Sequence, residues 1–183
     1  MLLLGVSLWG SPSRPNVILI FADDQGYGDL SCFGSTKIKT PNIDRIAQEG
    51  RKFTSFMVAS PVCTPSRAAL LTGCYPKRVG MHQHVLFPAS KKGLNPNEFT
   101  MGDHFKSLGY ATACFGKWHL GHHKEVLPTS NGFDTYYGIP YSNDMNHPDN
   151  KGKPKGGADG MDILWADPES TLTKWKTPLF LVD

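Results

Sequence analysis

The sequence lacks several features that define large classes of protein. Its cysteines are few and scattered, and no two of them form a CxxC pair, which argues against a scaffold stapled by disulfides. No run of about 18 apolar residues occurs, so no membrane-spanning helix is predicted. The 19 Lys and Arg residues are not gathered into an arm or a stripe, which argues against a nucleic acid partner.

The composition is that of a globular chain with many loops. Its 183 residues are enough for one domain with a substantial core, and 39% of them are hydrophobic. Gly and Pro together make 33 residues, or 18% of the chain, which is above the average of about 12% but below the range of low-complexity sequences. The formal net charge is only +3. These values exclude wholesale disorder and predict a loop-rich globular fold.

The first 13 residues leave two interpretations open. An apolar run is followed by small residues, as at the end of a secretory signal, but no basic residue precedes the run. The segment is therefore either a clipped signal peptide or a disordered lead. The first interpretation implies a periplasmic or secreted protein.

From residue 14 onward, strand-like and helix-like patterns alternate. Short apolar runs predict buried strands, and apolar residues at helical spacing, stopped by glycine, predict helices. The strands are predicted at residues 16–22, 53–59 and 110–115, and the helices at 40–50 and 100–109. This alternation predicts an α/β fold with a mainly parallel sheet, whose ligands bind beyond the carboxyl ends of the strands.

The regular pattern fades toward the end of the chain. Residues 143–160 are dominated by Gly, Pro, Lys, Asp and Asn, a stretch longer than most loops inside a compact domain. It is either a binding loop or a segment that packs against something outside this sequence. The apolar run at 178–183 has no element after it, so we expect the sheet to be incomplete at the C-terminus.

The most specific segment is CTPSRAALLTG at residues 63–73. A C-x-P-x-R pattern alone indicates a turn into a short helix, with Cys63 as a small buried hydrophobe. The full eleven residues resemble the signature of the type I sulfatases, closest to the arylsulfatase and N-acetylgalactosamine-6-sulfatase branch. The resemblance extends from Arg14 to about Asn146. It implies an alkaline-phosphatase-like α/β fold, of which residues 14–183 form the N-terminal part of the catalytic domain.

The resemblance also implies that Cys63 is oxidised to formylglycine, either by the formylglycine-generating enzyme or by an anaerobic maturase. A sulfate monoester is an anion that repels ordinary nucleophiles, and a Ser or Cys that attacked it would be left holding the sulfate. A hydrated aldehyde has one hydroxyl to attack sulfur and a second that expels sulfate when the aldehyde re-forms. Residue 63 is expected to precede a helix, whose N-terminus favours negative charge by only about 0.3–1 kcal/mol, so a metal cation is needed as well.

Asp23 and Asp24 are the candidate metal ligands. Two adjacent carboxylates followed by Gly26 indicate an acidic turn or a metal site about equally. The resemblance implies that both bind a divalent cation, usually Ca²⁺, together with the oxygens of residue 63. Ca²⁺ takes about 6–8 oxygen ligands, so others are required. The family draws them from a later acidic and amide pair that this sequence does not contain.

The segment GKWHLG at residues 116–121 is the second family signature. Without the resemblance, Lys117 is a solvated charge and His119 a hydrogen-bonded loop residue. A zinc site at His119, His122 and His123 is disfavoured because no Cys lies beside them. The resemblance implies that Lys117 and Arg67 contact the formylglycine and the sulfate oxygens, where fixed cations stabilise the transition state. His119 would orient or deprotonate the hydrated aldehyde.

The segment GIPYSND at residues 138–144 resembles a further family segment, which places Ser142 against substrate, although a plain turn is an alternative. The resemblance also implies a His and a Lys beyond residue 183 that complete the active site. We therefore expect hydrolysis of a sulfated small molecule or glycan by the family, and little activity from this chain alone. The alternatives are a phosphate or phosphonate monoester hydrolase of the same superfamily and an inactive truncated remnant.

Overall fold

The computed structural model of the protein describes residues 14–88, 90–142 and 145, together with the backbone of two strands at 163–166 and 173–175. The chain divides into two compact units, residues 1–51 with residue 183, and residues 52–182. No helix in the described ranges is long and apolar enough to cross a membrane.

The first unit contains helix α1 (Pro41–Glu49), which confirms the helix predicted at residues 40–50. The side chain of Asp44, in its first turn, ties the helix to the preceding chain. Its carboxylate accepts hydrogen bonds from Ser31 Oγ at 2.7 Å, from the Cys32 backbone N–H at 2.8 Å and from Thr40 Oγ1 at 2.9 Å. The hydrogen bond from Ser31 is the largest of the effects that lower the pKa of Asp44.

The second unit contains helices α2 (Cys63–Thr72) and α3 (Met101–Ser107). Helix α2 ends at Gly73, which adopts φ +65°, a conformation that glycine enters at little cost. Helix α3 begins at Thr100, whose hydroxyl accepts from the Asp103 backbone N–H. This confirms the helix predicted at residues 100–109, although its C-cap is Leu108, with Gly109 following in the left-handed region.

A four-stranded sheet lies in the second unit. Strands β1 and β2 are parallel, whereas β2 pairs with β3 and β3 with β4 in antiparallel fashion. The strands are β1 (Ala113–Lys117), β2 (Thr135–Ile139), β3 (Ile163–Ala166) and β4 (Thr173–Trp175). The strand predicted at 110–115 therefore exists but lies a few residues further along the chain.

The core of the second unit joins α2 to the sheet and to the loops between them. Its buried members come from α2, from the loops that follow α2 and β1, and from β2 and the segment after it. They are Ala68, Val79, Met81, Leu86, Leu94, Trp118, Leu120, Leu127, Tyr136 and Tyr141.

The strands predicted at 16–22 and 53–59 are wrong, because both segments run without regular strand structure. Their apolar side chains are exposed, with Ile18 at 85% and Met57 at 86%. An apolar run predicts burial, but a strand also needs a hydrogen-bonded neighbour, which a local pattern does not specify. Residues 1–13 and all of the predicted irregular stretch at 143–160 except residue 145 lie outside the described residues.

Candidate active site

Cys63 is the first residue of α2. Val62 caps the helix with extended backbone and accepts the first helical hydrogen bond from the Ser66 N–H at 3.1 Å. Cys63 therefore lies within the first turn, where backbone N–H groups and the helix dipole favour negative charge, and not before the helix as expected. Arg67 is four residues further along, so the two residues share one face of α2.

Lys117 joins these two residues from the end of β1. Its Nζ donates a hydrogen bond to Cys63 Sγ at 3.2 Å. Arg67 Nη1 donates to the Lys117 carbonyl oxygen at 2.5 Å. Three of the four predicted catalytic residues thus form one connected group, although Lys117 is 54 residues from Cys63 in sequence.

His119, the fourth predicted catalytic residue, is fully buried and has φ +58°. Its Nε2 lies 2.8 Å from the Leu86 carbonyl oxygen, which can only accept a hydrogen bond. Nε2 therefore carries a proton, and in the neutral imidazole Nδ1 is the nitrogen with the lone pair. The Tyr141 ring packs edge-on against the imidazole with centroids 5.7 Å apart. The ring orientation and tautomer of His119 are both set by neighbouring groups.

Thr64 holds α2 to the segments that surround His119. Its buried hydroxyl donates to the His119 carbonyl oxygen at 2.8 Å and accepts from the Leu86 N–H at 3.0 Å. No pattern in the sequence predicts a role for Thr64. Its position beside Cys63 in the signature is the only signal that could have suggested a role.

The carboxyl ends of β1 and β2 meet at this site, as the parallel arrangement of the two strands requires. The Trp118 N–H donates to the Ile139 carbonyl at 3.0 Å, and the His119 N–H to the Pro140 carbonyl at 2.9 Å. Ser142, the predicted substrate-binding residue, follows two residues after Pro140 and is buried. The ligand site expected beyond the carboxyl ends of the strands therefore coincides with the residues of both signatures.

His122 lies next to Tyr141 and His123. His122 Nδ1 lies 2.6 Å from the Tyr141 hydroxyl, and the two histidine rings stack with centroids 4.1 Å apart. Burial, and then the neighbouring His123, lower the pKa of His122, while burial raises the pKa of Tyr141 to about 12. At neutral pH both groups are therefore uncharged, and the tautomer of His122 decides which of the two donates the hydrogen bond. Within the described ranges, no three His, Cys, Asp or Glu side chains are grouped to hold a metal ion.

Asp23 and Asp24 lie in the first unit, just before a short 3-10 turn at Tyr27–Asp29. Asp24 adopts φ +51°, which is uncommon outside glycine and which Asp tolerates better than most residues. The nearby Asp29 carboxylate is occupied by the Gly26 N–H at 2.6 Å. Adjacent carboxylates are hard oxygen donors, so the pair is of the kind that suits a divalent cation such as Ca²⁺ and could supply only part of its ligand shell.

Comparison with solved structures identifies the fold. The PsFucS1 sulfatase from Pseudoalteromonas sp. superimposes with a TM-score of 0.64 and 41% sequence identity, over 72% of this chain and 27% of that one. The architecture is thus that of the sulfatases, an alkaline-phosphatase-like α/β fold, and the predicted fold class is confirmed.

Comparison with curated proteins and family models identifies the family. The chain is 51% identical to human arylsulfatase A over 133 residues, which cover 72% of this chain and 26% of the relative. It is 42% identical to N-acetylgalactosamine-6-sulfatase of Sus scrofa over 143 residues, 74% of this chain and 27% of the relative. The family model described as Sulfatase matches residues 15–182, and the chain belongs to the sulfatase family. It spans about a quarter of the length of these relatives.

Proposed function

We propose that this chain carries the nucleophile half of an active site that hydrolyses sulfate monoesters, with residue 63 acting as formylglycine. The observation that supports this most directly is the group formed by Cys63, Lys117 and Arg67. It combines the one cysteine in the sulfatase signature, the first turn of a helix and two fixed cations. Each of these favours an anion at residue 63.

The cations have separate tasks in this proposal. Lys117 Nζ lies within hydrogen-bonding distance of the residue 63 side chain. Its positive charge stabilises negative charge on the attacking oxygen. Arg67 holds the Lys117 backbone through its carbonyl and adds a permanent positive charge on the same side of α2. When formed, formylglycine supplies a hydrated aldehyde, with one hydroxyl to attack sulfur and a second that allows sulfate to leave.

His119 is proposed as the base that orients or deprotonates the residue 63 hydrate. The Leu86 carbonyl accepts a hydrogen bond from the Nε2–H of His119, which leaves Nδ1 as the basic nitrogen. The ring is buried and packs against Tyr141, so it is held in one rotamer. Nδ1 therefore keeps a fixed position, and no rotamer change is needed before it acts. The unperturbed pKa of histidine, about 6.5, suits proton transfer near neutral pH.

Asp23 and Asp24 are proposed to hold a divalent cation, Ca²⁺. The cation would supply positive charge toward the sulfate oxygens that the two side-chain cations do not neutralise alone. The family's later acidic and amide pair would complete the shell. Asp24 is exposed and Asp23 half-buried, so both carboxylates are accessible to a cation.

The substrate is proposed to be a sulfated small molecule or glycan, contacted by Ser142, and the maturation partner a formylglycine-generating enzyme or anaerobic maturase. Arylsulfatase A and N-acetylgalactosamine-6-sulfatase, by their names, act on sulfate esters of an aryl group and an amino sugar. We place the protein outside the cytoplasm, in the periplasm or in the secreted fraction, on the basis of residues 1–13.

The first test is the modification itself. The chain is coexpressed with a formylglycine-generating enzyme and analysed by intact mass and peptide mapping. We expect Cys63 to lose its sulfur and gain an aldehyde oxygen or its hydrate. Cys32 and Cys114 lack Pro and Arg at the required spacing and should remain thiols. Cys74 has Pro76 and Arg78 at that spacing but not the Ala-Leu-Leu-Thr-Gly segment that follows Arg67, so it should also remain a thiol if the full signature is recognised. The variant R67A is the matched control for recognition, and an unmodified Cys63 in an active full-length protein would contradict the mechanism.

The second test is metal binding, measured by calorimetry with Ca²⁺. The protein used is a completed enzyme in which this chain is joined to the C-terminal portion of arylsulfatase A. Asp23→Asn and Asp24→Asn should each weaken binding while leaving the unfolding temperature nearly unchanged, since each removes a charge and little packing. Asp29→Asn is the matched control because its carboxylate already closes the turn at Gly26. If all three variants bound Ca²⁺ with the same affinity, Asp23 and Asp24 would be turn residues and not metal ligands.

A further inference from the structure

A cavity of about 600 Å³ lies on the other flank of α2 from Cys63. Pro65, from the first turn of the helix, forms part of its wall. Two residues along a helix correspond to about 200° of rotation, so Pro65 faces away from the side shared by Cys63 and Arg67. The cavity and the nucleophile are therefore separated by roughly the thickness of one helix, about 10 Å.

A short turn presents the charged groups of this cavity. The Arg78 N–H donates to the Tyr75 carbonyl at 2.8 Å, and the Met81 N–H to the Pro76 carbonyl at 2.9 Å. Pro76 and Met81 are buried, as is Val79 between them, which anchors the turn in the core. The side chains between these anchors are thus held outward by a fixed backbone rather than by a mobile loop.

The lining of the cavity is basic and aromatic. Lys77, Arg78 and His82 line it together with Tyr75, and none of its eight lining residues is acidic. Among the described residues, no carboxylate lies within ion-pair distance of Lys77 or Arg78. Tyr75 is 75% exposed, so its ring face is available to a ligand.

We propose that this cavity binds an anionic unit of a sulfated glycan, at a position distinct from the sulfate ester being cleaved. The guanidinium of Arg78 and the ammonium of Lys77 suit a sulfate or a carboxylate. The exposed ring of Tyr75 offers an apolar surface to the C–H face of a sugar ring, as in other sites where a few polar groups orient a ligand on an apolar floor. A short oligosaccharide spans the thickness of one helix, whereas a small aryl sulfate does not.

This proposal rests on the proposed sulfatase function for its choice of glycan, but its test requires neither modification of Cys63 nor catalysis. Calorimetry on the 183-residue chain uses a sulfated, uronate-containing tetrasaccharide such as chondroitin 6-sulfate tetrasaccharide. We expect binding that weakens about tenfold or more in K77Q/R78Q, in line with the loss of charged hydrogen bonds. The control K91Q/K92Q removes the same charge from two exposed lysines outside the cavity and should retain affinity within about twofold.

Two further ligands separate a saccharide site from a simple anion site. Y75A should weaken binding of the tetrasaccharide but not of inorganic sulfate, and a neutral chitotetraose should not bind. Equal losses in K77Q/R78Q and K91Q/K92Q, or sulfate binding as tightly as the tetrasaccharide, would overturn the proposal. The variant C63A separates the two hypotheses, because it should keep the tetrasaccharide affinity while it abolishes any turnover. Tight binding without turnover in the completed enzyme would count against the proposed function alone.

Discussion

The cluster around residue 63 depends on backbone positions as much as on the side chains that carry charge. Lys117 reaches the sulfur because it is the last residue of β1 and because Arg67 holds its carbonyl. Thr64 in turn joins α2 to the carbonyl of His119. A charge-conserving Lys117→Arg exchange is therefore not conservative here, since the longer planar guanidinium would have to occupy a space shaped for an ammonium.

At this scale we predict how His119 contributes to stability. His119→Ala leaves the Leu86 carbonyl without its hydrogen-bond donor and opens a cavity. The free energy of unfolding should therefore fall by about 2–4 kcal/mol. His119→Gln can still present an N–H toward that carbonyl and should lose clearly less. Urea unfolding of the chain measures both, with exposed His84→Ala expected to change stability by less than about 0.5 kcal/mol. If the Gln variant were as unstable as the Ala variant, the hydrogen bond to Leu86 would not be what holds the ring.

Cys114 provides a prediction about pH. Burial raises the pKa of its thiol from 9.0 to about 12, and the nearby Arg67 only partly opposes this. Below pH 9 the folded and unfolded states both keep the proton, and between pH 9 and about 12 only the unfolded state releases it. The free energy of unfolding should therefore fall as the pH rises through this range. The same pKa makes the folded thiolate scarce, so Cys114 should react slowly with iodoacetamide at pH 8.

The control for this prediction is Cys114→Ala. In this variant the free energy of unfolding should fall less steeply between pH 9 and about 12, because the contribution of the thiol is gone. Tyr141 and Tyr136, whose pKa values are also raised by burial, still contribute to the remaining decline at higher pH. Rapid alkylation of Cys114 in the folded chain at pH 8 would show that the thiol is more accessible than its burial indicates.

At the scale of elements, the helices follow from local signals and the strands do not. Pro41 begins α1, Thr100 and Asp103 form the capping box of α3, and Gly73 ends α2 in the left-handed region. Each signal acts within four residues, so it is visible in the sequence. A strand is defined by a neighbour that is distant in sequence, and the apolar runs at 16–22 and 53–59 contained no information about one.

The pairing of β1 with β2 gives a prediction at this scale. Gly138 lies opposite Gly116, and a Cβ added at Gly138 would overlap the backbone of Gly116. Gly138→Ala should therefore destabilise the chain by about 1–3 kcal/mol and disturb the end of β1 that carries Lys117. Gly28→Ala is the matched control, because a Cβ there meets nothing within 4 Å and the φ is not positive. Thermal unfolding compares the two, and equal stability would mean that β1 and β2 are free to move apart.

At the scale of the whole molecule, the chain covers about a quarter of its relatives' length and exposes apolar residues that a core would normally bury. Ile18, Ile20, Phe56 and Met57 are each more than 75% exposed. Exposed apolar patches of this kind favour association or aggregation. In the proposed site these residues would supply a nucleophile, two cations and part of a metal shell, and residues that act as a unit lose activity together when part of the set is missing.

We therefore predict that the 183-residue chain has no appreciable sulfatase activity, even when Cys63 is converted. A completed enzyme, in which the chain is joined to the C-terminal portion of arylsulfatase A, should turn over an aryl sulfate in the presence of Ca²⁺. An aryl phosphate assayed in parallel tests the phosphatase alternative, and C63A in the completed enzyme is the control for background. Comparable turnover by the short chain would mean that a full catalytic set lies within residues 14–183.

The family, the signature residues and the helices could be predicted from the sequence, because each depends on residue types at short, fixed spacing. Which of those residues meet depends on the tertiary structure. Lys117 contacts Cys63 across 54 residues, and Thr64 contacts His119 across 55. Such contacts arise because the first turn of α2 packs against the carboxyl end of β1, where segments distant in sequence become neighbours. The burial of His119 and the choice of its basic nitrogen follow from that packing, which no local pattern contains.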